Sequence, residues 1–310
     1  MAAQVSVLIP CYDCAATLGM ALASLQAQSF QDWECVLVDD GSTDHPEEVV
    51  EECGDVRVRH IRLSHNHGRA YARNVATAHA RGEYIAMLDA DDWIFPSKLE
   101  KQHAVLRDDH ALVLVSSYMG VVDSRQELVG IRGGVKRSGD ALMIGSFDKL
   151  ILPPMSFPAS MFRASAAKKI PFVLDYAVAE DTDFLLKLAL GRSYAVLSDV
   201  EYVYREWDGI TLEKVWDGHR TMQKIFSGYR SKFPWQSRRG ECSSMIKAMA
   251  YKTAHAAGCW DQIIARRSGR PSERDLQRFA SALKIVETQE RNNSSCRAKG
   301  VGKMEIMLHD

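Results

Sequence analysis

The chain has 310 residues, 46% of them apolar, with 39 Lys or Arg against 40 Asp or Glu, so it can bury a substantial core. No stretch has the apolar length needed to span a bilayer, and the N-terminus lacks a basic region followed by an apolar one, so a cytosolic protein is expected. Seven cysteines without a regular framework fit a reducing compartment rather than a disulfide scaffold.

Val5 to Ile9 reads as a strand, and Pro10 is expected to end it because proline cannot continue the ladder. Cys11-Tyr12-Asp13-Cys14 has redox or metal spacing, but no second pair follows at zinc-site distance, which weighs against either role. A helix from about Ala15 to Gln28 carries Leu18, Leu22 and Leu25 at helical spacing. Cys35 to Val38 is a second apolar strand, closed by Asp39-Asp40-Gly41-Ser42. Asp44 and Pro46 then start a helix, and Val56 to Leu63 is a third strand. Arg69 to Ala80 reads as helix, and Gly82 introduces Tyr84 to Leu88, a short apolar run stopped by charge, the pattern of a buried parallel strand.

This alternation implies an α/β chain with a Rossmann-like, doubly wound, mostly parallel sheet and right-handed crossovers. Ligands of such sheets bind beyond the carboxyl ends of the strands, so Tyr12-Asp13, Asp39-Asp40 and Asp89-Ala90-Asp91 share one rim. In extended chain Asp89 and Asp91 point the same way while Ala90 faces elsewhere. Two such carboxylates suit Mg2+ or Mn2+, usually held by one or two carboxylates plus substrate phosphates; an isolated Asp-x-Asp can equally cap the next helix. There is no GxGxxG after the first strand and no GxxxxGK[ST] anywhere, which counts against a dinucleotide oxidoreductase and a P-loop NTPase.

Beyond Pro96 a helix is expected to about Arg107, then a strand at Leu112 to Ser116. The Gly- and Pro-rich stretch from Asp123 to Pro158, with Gly134 and Gly139 among its glycines, reads as mobile substrate-facing loops. Apolar chain resumes at Ala159 to Phe162. Asp181 to Leu190 is a helix closed by Gly191, and Tyr194 to Leu197 and Tyr202 to Tyr204 are short strands. From Leu212 the pattern is helical, with breaks at Phe233-Pro234, Gly258 and near Gly269. Residues 214 to 303 hold 19 Lys or Arg against 7 Asp or Glu: either a solvated face or a surface for anionic lipid or an acidic acceptor. Without an aromatic-basic surface motif they do not read as a nucleic-acid site.

Val5 to Pro10 with Tyr12, Val38 to Asp44, Gly68 with Ala72-Arg73-Asn74, and Gly82 to Ile85 leading to Asp89 through Asp92 together resemble the family 2 glycosyltransferases of the GT-A fold. The likeness covers about the first hundred residues, with a second match at Glu180-Asp181 and none in the final hundred. It implies a GT-A catalytic domain over 1–211, divided into a nucleotide-sugar-binding half (1–107) and an acceptor-side half (108–211). A helical C-terminal extension (212–290) and a flexible polar tail (291–310) follow.

The resemblance implies donor contacts from Pro10, Tyr12, Asp40, Arg73, Asp89, Ala90 and Asp91, with a UDP-sugar as the expected donor and Mn2+ or Mg2+ as the ion. Tyr12 would lie against the nucleobase or else pack on the sheet. Asp40 or Asp39 would accept from a base N–H, or merely orient its own turn. Asp91 would hold the cation that bridges to the diphosphate, with Asp89 contacting ribose or acting through water. Asp92 either extends the acidic run or caps the helix after Pro96. Arg73 either binds phosphate or is a paired surface residue.

Asp181 is implied as the base that deprotonates an acceptor hydroxyl; the plain alternative is an acid stabilised by the helix dipole, which would lower its pKa and weaken it as a base. One carboxylate base implies a single inverting displacement with an oxocarbenium-like transition state. The Gln-x-x-Arg-Trp signature of processive members is absent and Tyr204-Arg205-Glu206-Trp207 does not replace it, although a Tyr-Arg pair there suits donor phosphate or acceptor. One sugar or a short unit is therefore expected to reach a glycan or lipid-linked acceptor in cell-surface polysaccharide or glycoconjugate synthesis. Peripheral contact of the basic C-terminal region with the inner membrane face goes with that reading. Two other classes remain: a binding module that has lost catalysis, and a nucleotidyltransferase, which needs a Gly-rich basic loop where Cys11 to Ala15 stand.

Overall fold

β1 (Val5–Cys11), β2 (Trp33–Asp39) and β4 (Tyr84–Met87) are buried at every position, as strands covered on both faces must be. They belong to a computed structural model that describes residues 3–133, 140–206, 211–259 and 267–298. With α1 (Ala15–Gln26), α2 (Pro46–Cys53), β3 (Val58–Arg62) and α3 (Arg69–His79) they form a parallel unit in the order β3-β2-β1-β4. Alternation along the strands splits the core between two faces: Leu8, Val36 and Val38 pack with Phe162 and Phe184, whereas Val7, Ile9, Cys35 and Leu37 pack with Leu18 and Leu22 of α1.

The sheet continues through β5 (Trp93–Ile94), β6 (Leu112–Val122), β7 (Leu128–Arg132), β8 (Leu142–Ser146), β9 (Met161–Arg163) and β10 (Ser193–Arg205). β9 joins β4 to β6 antiparallel, β10 runs parallel to β6, and β5, β7 and β8 add antiparallel edges. α4 (Lys98–Asp108), α5 (Ala164–Ala167) and α6 (Glu180–Ala189) lie between strands, and α7 (Leu212–Gly228), α8 (Pro234–Ala256) and α9 (Glu273–Ala298) form the C-terminal helices. No described helix is long and apolar enough to cross a membrane. The mostly parallel α/β sheet with helices at the C-terminus is as expected.

Several local expectations are corrected. Pro10 lies inside β1: pairing with β4 stops at Leu8, and alternation turns position 10 toward that vacated side, so the missing N–H costs no ladder bond. β6 runs on to Val122 because β10 lines one edge while β9 and then β7 line the other. The stretch from Asp123 to Pro158 contains β7 and β8. Its glycines mark tight packing: a Cβ on Gly130 would sit 2.6 Å from the Ser268 side chain, and one on Gly145 would sit 2.9 Å from the Tyr194 hydroxyl. Gly134 and Gly139 lie outside the described residues.

Tyr194 to Tyr204 falls in one strand, because register shifts near Val200 interrupt the alternation that would have revealed it. Cys11 and Cys14 are joined in a disulfide, against the reading of the cysteines as reduced. α9 continues to Ala298, past the expected start of a flexible tail at residue 291; residues 299–310 are outside the described set.

Candidate active site

At the carboxyl ends of β1, β2 and β4 the chain leaves a cavity of about 800 Å³. Its walls include Pro10, Tyr12, Asp40, Asp89, Ala90 and Asp91. The turn after β1 is held from across the cavity floor. Asp13, at φ 47°, accepts from the Thr43 N–H (2.8 Å) and donates its own N–H to Ser42 Oγ (3.0 Å), while Asp44 Oδ2 accepts from the Ala15 N–H (2.7 Å) at the start of α1. The Cys11–Cys14 bridge spans this turn and leaves Tyr12 48% exposed, its ring free to meet a flat ligand.

The two adjacent aspartates at the end of β2 separate cleanly. Asp39 is fully buried, accepts from the Ser42 N–H (2.8 Å) and sits 3.5 Å from Arg62, so it orients the turn. Asp40 reaches the cavity and accepts from the His67 (2.9 Å) and Gly68 (2.7 Å) N–H groups at the entry to α3. A carboxylate has about four acceptor positions, so Asp40 keeps capacity for a ligand N–H.

After β4 the acidic turn closes through the Asp92 N–H to the Asp89 carbonyl (3.1 Å), and Thr17 of α1 donates to the Ala90 carbonyl (3.0 Å). Asp92 is no helix cap. It is buried and accepts from Tyr202 Oη (2.6 Å) and the Arg205 N–H (2.8 Å), which fastens the turn to β10. Burial, then the nearby Asp91 and Asp89, push its carboxyl well above the ordinary range. Asp91 faces the cavity, and burial followed by the charge of Asp89 raises its pKa.

A divalent cation would relieve that crowding, and the donor set fits one. No cluster of three or more acid, His or Cys ligands exists among the described residues, so Asp91 and Asp89 would need substrate phosphate and water to complete the shell, the usual habit of Mg2+.

Arg73 does not reach the cavity, which corrects its expected contact with phosphate. It is 2% exposed, bonds Asp89 (3.1 Å) with one terminal nitrogen and Glu180 (2.7 Å) with the other, and lies over the Phe157 ring at 4.8 Å. Arg69, one turn earlier on α3, lines the cavity instead and bonds the same Glu180 oxygen at 2.6 Å. Burial works against its charge, but Glu180, with Asp89 and Asp181 behind it, holds its proton more tightly than usual.

Asp181 stands on the first turn of α6, half-buried, with Oδ1 accepting from the Thr182 N–H (2.6 Å). It is not on the cavity wall, although its charge and that of Asp89 both act on Arg69. Tyr204 and Arg205 do line the cavity; Trp207 is outside the described residues. Sequence reasoning missed Arg69, Arg132, Lys214 and Arg267, all cavity residues. Only Arg69 carried a signal, its four-residue spacing from Arg73.

The family model described as Glycosyl transferase family 2 matches residues 6–170. The chain belongs to that family. An uncharacterized glycosyltransferase of Haemophilus influenzae is 36% identical over 116 residues, 37% of this chain and 46% of its own. The Escherichia coli UDP-Glc:alpha-D-GlcNAc-diphosphoundecaprenol beta-1,3-glucosyltransferase WfgD is 28% identical over 163 residues, 50% of this chain and 64% of its own. The chain thus spans about half the length of the curated relatives it matches.

Among solved structures, S. aureus TarS 1-349 in complex with UDP-GlcNAc superposes with a TM-score of 0.63 at 22% identity, over 96% of this chain and 92% of that one. The mannosyltransferase PcManGT from Pyrobaculum calidifontis, in complex with GDP-Man and Mn2+, gives 0.58 at 18%, over 94% and 88%. These likenesses show the GT-A fold.

Proposed function

We propose that this family 2 glycosyltransferase moves one sugar from a UDP-sugar to a hydroxyl of a glycan or lipid-linked saccharide, with inversion, in cell-surface polysaccharide or glycoconjugate synthesis at the cytoplasmic side of the membrane. The observation that carries the reading is the convergence of Tyr12, Asp40, Asp89 and Asp91 on one cavity at the strand ends. Residues 1–211 form the catalytic domain in this reading and 212–290 its extension. The UDP-GlcNAc and the GDP-Man with Mn2+ named for the two fold neighbours, and the UDP-Glc named for WfgD, support the donor class.

Tyr12 offers its exposed ring to the base, and Asp40 accepts from a base N–H. Asp91, assisted by Asp89, holds Mn2+ or Mg2+, which when bound neutralises charge on the departing diphosphate. Arg205 and Arg69 add positive charge on the cavity wall. The acceptor oxygen attacks the anomeric carbon as its proton passes to Asp181, and the bond to the diphosphate breaks with its electron pair leaving on phosphate. Asp181 acts through proximity to the attacking hydroxyl, from the first turn of α6.

A screen of nucleotide-sugars for metal-dependent hydrolysis, followed by an acceptor panel, tests the reading. Asp91→Asn and Asp181→Asn should each lower turnover by about 100-fold or more with unchanged thermal midpoints. Full turnover in excess chelator would remove the cation assignment, and full turnover in Asp181→Asn would remove the base.

A further inference from the structure

α8 carries an apolar seam on its outer face. Trp235, Cys242, Ile246 and Met249 fall on one stripe at offsets of seven, four and three residues, and all four are exposed; Trp235 is 81% and Ile246 68% accessible. Three of its four buried residues, Ser237, Ser244 and Ala248, lie on the opposite side of the helix. Arg238 and Arg239 flank the seam, and α8 as a whole has four Lys or Arg against one Glu. That acid, Glu241, is taken by Arg230 at 2.6 Å.

Beside the seam a second groove of about 530 Å³ separates α8 from α7 and the loop at residues 149–152. Leu150, Met222 and Phe226 form its apolar interior, and Lys149, Arg239 and Lys247 stand on its rim. The loop is fixed to α8 by the Leu150 N–H, which donates to Gln236 (2.9 Å), and it presents Ile151 and Leu152, each about half exposed. Gly240 lets the helices close at the groove floor, since a Cβ there would meet the Phe226 ring at 2.6 Å.

We propose that this face, the α8 seam together with the Ile151-Leu152 loop, docks on the surface of an anionic phospholipid bilayer. The apolar side chains enter the headgroup boundary, and Arg239, Lys247 and Lys149 take lipid phosphates at the rim of the groove. What suits an interface is the exposed apolar side chains with cations at their edge, rather than amphipathicity of α8 as a whole. A second copy of the chain is the poorer occupant, because α8 carries four Lys or Arg against one Glu that Arg230 already holds, so two such faces brought together would oppose like charge. α7 ties the dock to the cavity of the sugar-transfer reading: Lys214 and Val215 line that cavity, and His219 and Met222, one to two turns on, line the groove. An acceptor carried by lipid would thus arrive beside the donor site, although the docking itself does not depend on what the acceptor is.

The test is co-sedimentation of the full chain with phosphatidylcholine vesicles with and without about one third phosphatidylglycerol. The wild type should sediment only with the anionic vesicles. Arg239→Glu with Lys247→Glu should weaken partitioning by about tenfold or more. Trp235→Ser with Ile246→Ser should weaken it by a similar factor and abolish what remains at high salt. Thermal stabilisation by UDP, unchanged in both double variants, shows that they fold and separates failure of the dock from failure of the donor reading. Absence of binding to anionic vesicles overturns the proposal, as does indifference to the Trp235 and Ile246 changes. Conversion of a wild-type dimer to monomer by Ile246→Ser would assign the face to self-association instead.

Discussion

Glu180 and Asp181 are neighbours whose surroundings give them opposite expected responses to mutation. Glu180 is 1% exposed and bonds two arginines, so Glu180→Ala leaves Arg73 buried with only Asp89 as acidic partner among the described residues; the expected cost is roughly 3–5 kcal/mol, read from urea unfolding. Among the described residues Asp181 accepts only from its neighbour Thr182, so Asp181→Asn should leave stability within about 0.5 kcal/mol. The place of Asp89 and Asp91 at the rim was legible from the charge stop after β4, but the expected extended chain was not found: the two stand in a turn closed by the Asp92 N–H on the Asp89 carbonyl. Arg73 was not legible, because a helical arginine says nothing by itself about burial, and only the packed Phe157 and Phe172 rings reveal that its head never meets solvent. Asp39 and Asp40 were inseparable in sequence for a related reason: which one orients the turn depends on contacts with His67 and Gly68, well downstream.

Among elements, the entry to α4 holds an unusual group. Lys98 is fully buried, its Nζ has no hydrogen-bond partner among the described residues, and burial, only partly offset by Glu201, pushes its pKa down to about 7. In the unfolded chain it binds its proton up to about pH 10.4, so folding is penalised most at and below neutrality, and the penalty fades as pH rises toward that value. Lys98→Met should therefore stabilise the protein by about 1 kcal/mol or more at pH 6–7, with the gain shrinking by pH 10, measurable by denaturant titration at several pH values. Glu201 keeps Lys101 (2.6 Å) and Arg278 (2.8 Å) when Lys98 is removed. At the turn after β1, the Cys11–Cys14 bridge closes too short a loop to add much global stability but restrains Tyr12. Cys14→Ser is expected to weaken UDP binding severalfold, by calorimetry, with little change in unfolding. The parallel unit was legible because its strands alternate with helices at short spacing. β7 and β8 were not, because their glycines answer to Ser268 and Tyr194, residues far away in sequence.

For the whole molecule, helical periodicity announced the C-terminal helices but not their seat. α9 returns to the catalytic unit: Phe279 and Val286 pack with Trp93, Asn293 donates to Gln26 of α1 (2.7 Å), and Arg278 reaches Glu201 on β10. Phe279→Ala should cost about 3 kcal/mol in global unfolding, because the helix closes part of the common core. Such long-range docking depends on shape complementarity that periodicity does not encode. The Asp89–Arg73–Glu180 chain has a consequence at the same scale. It makes the acidic turn and the start of α6 one energetic unit, so substitutions at its two ends should fail to add. A double-mutant cycle of Asp89→Asn and Glu180→Gln should show a coupling energy of about 1 kcal/mol or more, with the second lesion costing more once the first is made, because it leaves the buried Arg73 without a charged partner. Evolution could then relax one end only while the other keeps its acid, so the two positions would constrain each other in sequence even though neither touches the other.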